Sequence, residues 1–102
     1  MACFILMFVL YSGIGYFLSE PGKYCAEIDS TTIAVADANE CQLALLELKS
    51  RDHNVVFETE QNTIKWPKGC YGKTSFYWNN HVTGNKTSFM EYKMLQICKV
   101  IG

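Results

Sequence analysis

Cysteine is the residue best placed to do chemistry in this chain, at Cys3, Cys25, Cys41, Cys70 and Cys98. The last four are separated by 16, 29 and 28 residues, and none belongs to a Cys-x-x-Cys pair. That spacing suits neither a zinc site nor a redox dithiol. An even set in a short chain is instead the pattern of disulfides in an oxidising compartment. Four cysteines allow three pairings. The favoured one joins Cys41 to Cys70 and Cys25 to Cys98, tying a helix to a sheet and one end of the domain to the other. His53 and His81 are the only histidines. Each sits beside an asparagine in a polar stretch, and nothing in the spacing aims one at the other. Asn85-Lys86-Thr87 is an N-glycosylation acceptor. Asn39-Glu40-Cys41 is the rarer cysteine form, closed if Cys41 is bridged. No Gly-x-Ser-x-Gly, His-Glu-x-x-His or phosphate-binding glycine loop occurs, so the sequence assigns no catalytic residue, metal or cofactor.

Charge divides the chain in two. Residues 20–60 carry nine acids and three bases, a net of −6, whereas residues 61–102 carry six lysines and only Glu91, a net of +5. Seven of the fourteen aromatics also lie in the second half, from Trp66 to Tyr92. Lysines interleaved with rings suit a polyanion or carbohydrate surface. The plainer reading, favoured for so small a domain, has the acidic helix neutralise the basic sheet while the rings fill the core. The binding version rests on Lys68, Tyr71 and Lys73 beside a polar loop at residues 79–87, facing an extracellular glycan or protein ligand. An overall net charge of −1 argues against nucleic acid.

The elements that must position these residues begin after an apolar block. Residues 1–19 contain no Asp, Glu, Lys, Arg or His. Such a block, followed by small residues, reads as a secretory signal, although no Lys or Arg precedes it. Gly13-Ile14-Gly15 would place cleavage before Tyr16, with a cut nearer Ser19 as the alternative. A membrane signal-anchor is the rival, because 17 apolar residues lie near the lower limit for a span. The expected organisation is a signal at residues 1–18, a linker at 19–23 and one domain at 24–102, with no membrane contact once the signal is removed. A domain of about 80 residues buries only about 60–65% of its unfolded surface and needs a staple.

Within the domain, residues 24–27 read as an extended segment and Asp29-Ser30-Thr31-Thr32 as a turn. Asp37 is a good N-cap with Glu40 three residues on, and Cys41, Ala44, Leu45 and Leu48 recur at helical spacing, with Leu43 and Leu46 widening the stripe. A helix is predicted over residues 38–50. Val55-Val56-Phe57 and Thr63-Ile64-Lys65-Trp66 read as strands joined by a hairpin loop at 58–62, with Pro67-Lys68-Gly69 as a break. Residues 74–78 form the next strand and 79–87 an exposed loop. The last strand, 92–100, is apolar on both faces, which places it centrally in the sheet. The fold class is α+β: one amphipathic helix packed on a small antiparallel sheet, stapled by disulfides.

Trp66-Pro67-Lys68-Gly69-Cys70-Tyr71, followed by Phe76-Tyr77-Trp78-Asn79, Gly84 and Ile97-Cys98-Lys99, resembles a small extracellular cysteine-rich module. Glu40-Cys41 with Ala44 matches its helix. Such modules recur in secreted and surface proteins of algae and aquatic animals. The resemblance, over residues 24–100, implies a disulfide-held extracellular domain and carries over no catalytic residue. The function expected is a non-catalytic recognition or structural module. The alternative is a small secreted effector (toxin-like, antimicrobial or hydrolytic) using His53 and His81.

Overall fold

The computed structural model describes residues 15–100. Its one long helix, α1 (Ala38–Ser50), forms where the apolar spacing predicts it. The Asp37 carboxylate accepts from Glu40 N at 2.8 Å. Glu40 reaches back to Ala36 N at 2.6 Å, one residue before the cap, so the box is shifted by one position. Cys41, Ala44, Leu45 and Leu48 are buried, whereas Leu43 and Leu46 are 62% and 66% exposed and lie outside the packed stripe. The helix ends without glycine, with Asp52 taking φ 69° and His53 N donating to Leu48 O.

Six strands form the sheet: β1 (Tyr16–Leu18), β2 (Thr32–Ala34), β3 (Val56–Gln61), β4 (Pro67–Gly72), β5 (Ser75–Gly84) and β6 (Leu95–Val100). Their order is β1-β6-β4-β5-β3, with β2 also on β6. The sheet is mixed, because β3 runs parallel to β5 while the other pairs are antiparallel. The expected hairpin at 58–62 is therefore replaced. Glu58, Thr59 and Glu60 continue the strand started by Val56, and β3 is an edge strand whose acids face water. Charge on an edge strand discourages pairing with another chain, so loop-like composition here conceals a strand.

The expected break at 67–69 is the first half of β4, and the expected loop at 79–87 is strand to Gly84. One side chain accounts for both corrections. Asn79 is fully buried, and its Nδ2 donates to Thr63 O at 2.8 Å, Trp66 O at 2.9 Å and Pro67 O at 3.0 Å. Its Oδ1 accepts from Thr63 N at 3.0 Å and His81 N at 3.3 Å. Four backbone groups of residues 63–67 are thus met by one amide, while Lys65 N donates to Thr63 Oγ1 at 3.1 Å and Trp66 O also accepts from Asn85 N at 2.9 Å. Asn85 then caps a second helix, α2 (Lys86–Glu91), by accepting from Ser88 N at 3.1 Å.

Central β6 separates two packed layers. Ile97 and Leu95 join Val35, Val55, Cys70 and Phe76 against α1. On the other side lie Cys98 and Cys25, the latter opening a 3₁₀ turn (Cys25–Glu27) where an extended segment was expected; Glu27 stabilises the turn by accepting from Tyr24 N at 2.9 Å. The two disulfides are Cys41–Cys70, from α1 to β4, and Cys25–Cys98, from the turn to β6. The sheet also takes up residues placed in the signal and linker. Tyr16, Phe17 and Leu18 pair with Lys99, Cys98 and Ile97, Ser19 N donates to Gln96 O at 2.8 Å, and Gly22 N donates to Met94 O at 2.7 Å. The folded unit therefore includes residues 16–22. The remainder of the expected signal, residues 1–14, lies outside the described residues.

Candidate functional site

Two strands share one edge of β6, end to end. β2 pairs with Cys98 to Val100, and Val35 N donates to Ile97 O at 3.3 Å. β4 pairs on that edge only through Tyr71 and Gly72, opposite Gln96 and Leu95. Among the described residues, the first half of β4 thus has β5 on one side and no paired strand on the other. Between it and β2 opens a crevice of about 460 Å³, lined by Ile33, Val35, Lys68, Gly69, Trp78 and Gln96 among others.

Gln96 gives this crevice a chemical character. The residue is only 7% exposed. Its Oε1 accepts from Cys25 N at 2.8 Å. Because Cys25 N can only donate, the acceptor end of the amide must face it, and Nε2 is left over. No hydrogen bond to Nε2 exists among the described residues, nor is any fully sealed side-chain polar atom left without a partner. Nε2 is therefore open to the crevice. Gly69, at φ +92°, passes beneath it, and a β-carbon there would lie 3.6 Å from Nε2. Half-buried Trp78 supplies an aromatic wall, and Lys68, exposed on β4, donates from Nζ to His81 O at 3.2 Å.

The expected ligand set does not assemble. Lys68 stands near the start of β4 and Lys73 in the turn beyond its end. Tyr71 between them is 3% exposed, stacks on Tyr77 with centroids 5.7 Å apart and donates its hydroxyl to Gln61 Oε1 at 2.6 Å. Burial pushes its phenol up to about 12. Because 67–69 is strand and not a turn, Tyr71 falls on an inward position and is a packing residue. Only Lys68 of the three lines the crevice. The sequence does not single out Trp78 or Gln96 as crevice residues; the available signal was a glutamine between Leu95 and Ile97 in a strand whose other polar residue is Lys99.

The histidines do not converge. His53 is exposed after α1, next to the start of β3, whose Val56 lies opposite Ser75. His81 stands six positions further along β5, about 20 Å away at strand spacing. Its Nδ1 is occupied, accepting from Thr83 N at 3.2 Å and Gly84 N at 3.0 Å. The charged halves meet in part, at Lys99–Glu40 and Lys86–Glu27. The rings divide between roles: Phe76 and Phe89 are core, whereas Lys65 lies over Trp66 and Lys86 over half-buried Tyr24. Asn85 spends Oδ1 on the helix cap, and its Nδ2 makes no hydrogen bond among the described residues. No cluster of three or more His, Cys, Asp or Glu among the described residues could hold a metal ion. Nor is any described helix long and apolar enough to cross a membrane.

Fold and crevice together define a small disulfide-held α+β domain with an open crevice beside β4. No family model, curated protein or solved structure matches the chain.

Proposed function

We propose that this is a secreted, non-catalytic recognition module whose crevice binds an extracellular saccharide bearing an acidic group. The observation that carries the reading is the Gln96 amide, buried at one end, unpaired at the other and open to the cleft. Water can reach this donor, so a ligand that supplies the acceptor exchanges a water hydrogen bond for its own, a net gain of about 0.5–1.5 kcal/mol. A sugar hydroxyl or carboxylate is such an acceptor. Its ring face fits against an aromatic wall such as Trp78, and a carboxylate or sulfate substituent complements Lys68. The two disulfides are compatible with an oxidising, extracellular setting, and the free Nδ2 of Asn85 is compatible with glycosylation there. The separation of His53 and His81 supports recognition over a hydrolytic effector.

Titration of the isotope-labelled secreted protein with acidic oligosaccharides tests this. The expected result is a shift of the Trp78 indole and Gln96 amide signals that weakens as salt rises. Gln96→Glu keeps the acceptor facing Cys25 but replaces the donor in the cleft, and should weaken binding at least about tenfold. No shift at low salt with any neutral or acidic saccharide rejects the reading.

A further inference from the structure

The start of β1 is organised as though it were a chain terminus. Tyr16 N donates to the Glu47 carboxylate at 3.1 Å, the Tyr16 hydroxyl donates to Glu40 Oε2 at 3.1 Å, and Arg51 donates to Tyr16 O. Two side chains of α1 and that of Arg51 just beyond its end therefore hold the backbone nitrogen, the side chain and the backbone carbonyl of a single residue. Gly15, immediately before it, is treated differently. It is exposed, and among the described residues nothing would lie within 4 Å of a β-carbon there. No contact among the described residues calls for glycine at position 15. A secretory processing peptidase does, because it reads small residues at its cleavage site, and Gly13 and Gly15 are both small.

We infer that the chain is cut between Gly15 and Tyr16, and that the mature protein begins with the Tyr16 α-ammonium seated on Glu47. The step is a hydrolysis: water adds across the Gly15–Tyr16 amide, Gly15 leaves as the carboxylate of the released peptide, and Tyr16 nitrogen takes up protons to become an ammonium. A membrane-bound secretory endopeptidase is the catalyst. The hydrogen bond already made by the Tyr16 amide becomes charge-assisted, and Glu47, which also meets Arg51 at 3.5 Å, lies between two cations. The later cut, near Ser19, is incompatible with this architecture. It would remove β1 and strip Leu18 from the core, and a cut past Ser19 would also remove the Ser19 Oγ that accepts from Gln96 N at 2.9 Å and the Ser19 N that donates to Gln96 O.

The inference rests on the proposed secretion, and one experiment separates the two. The full chain is expressed in a secreting eukaryotic cell, and the amino termini of the secreted and cell-retained proteins are mapped by mass spectrometry. A secreted protein starting at Tyr16 is the expected result. Secretion with a start at Ser19 or beyond overturns this inference and leaves secretion standing; an uncut chain held in the cell overturns both. In Gly15→Leu, which the open space at that position accommodates, the Tyr16 start should be lost. An unchanged Tyr16 start in that variant rejects the role of Gly15. Glu47→Ala should let an aminopeptidase trim the mature end several-fold faster; an equal rate rejects the seating of the terminus.

Discussion

Asn79 shows how much one side chain can hold in a domain of this size. Five hydrogen bonds run between its amide and the backbone of residues 63–67 and His81. Asn79→Ala leaves buried carbonyls unpaired and should cost about 2–3 kcal/mol in chemical denaturation. Asn79→Asp should cost more, because a carboxylate oxygen replaces the donor facing three carbonyls. A loss below about 1 kcal/mol in both variants would show that water takes over the role. Asparagine is common in loops, and Asn79-Asn80-His81 reads as the start of one. Apart from His81, its partners lie 12 to 16 residues upstream, beyond the reach of local pattern. Asp37, by contrast, was legible as a cap because its partner is three residues away. The same contrast governs the candidate site: Lys68 could be picked out by type, whereas Trp78 and Gln96 become site residues only because β2 and β4 part beside them.

At the scale of elements, α1 is joined to β6 by an ion pair as well as by packing. Burial disfavours the Glu40 carboxylate, but Lys99, the Ala36 amide and the Tyr16 hydroxyl outweigh it and hold its pKa below the ordinary value. A carboxyl whose pKa is lowered by folding contributes stability above its unfolded pKa. That contribution is lost as pH falls through the lowered, folded value. Stability measured by urea denaturation should therefore fall as pH drops from about 4.5, and Glu40→Gln should flatten this acid limb while lowering stability at pH 7. An acid limb unchanged in Glu40→Gln would assign it to other carboxylates. The helix was readable from its 3.6-residue period, but the path of the sheet was not. β3 has the composition of a turn because it is an exposed edge, and its parallel pairing with β5 depends on contacts 18 or 19 residues apart. The disulfide pairing was favoured by linking elements, and the structure adopts it.

For the molecule as a whole, the two bridges close chain separations of 73 and 29 residues. By loop-closure entropy, the longer should contribute about 4.5 kcal/mol and the shorter about 3.5 kcal/mol, each a large share of the about 5–15 kcal/mol expected of a domain. Replacing Cys25 and Cys98 together by alanine should lower the unfolding midpoint more than replacing Cys41 and Cys70. The reverse order, measured by thermal denaturation of the oxidised variants, would show that the α1–β4 bridge matters more than chain entropy allows. β6 has a consequence for how the chain comes into being. The strand that β1, β2 and β4 all require is the last of the six in chain order. On the proposed secretory route, a nascent chain threading into an oxidising lumen would therefore present Cys25, Cys41 and Cys70 before Cys98 arrives. Only Cys41 and Cys70 can make a native bond in that interval, and Cys25 stays reactive until β6 emerges. The order of synthesis thus makes an early Cys25–Cys41 mispairing the hazard that a thiol-isomerising chaperone would have to correct.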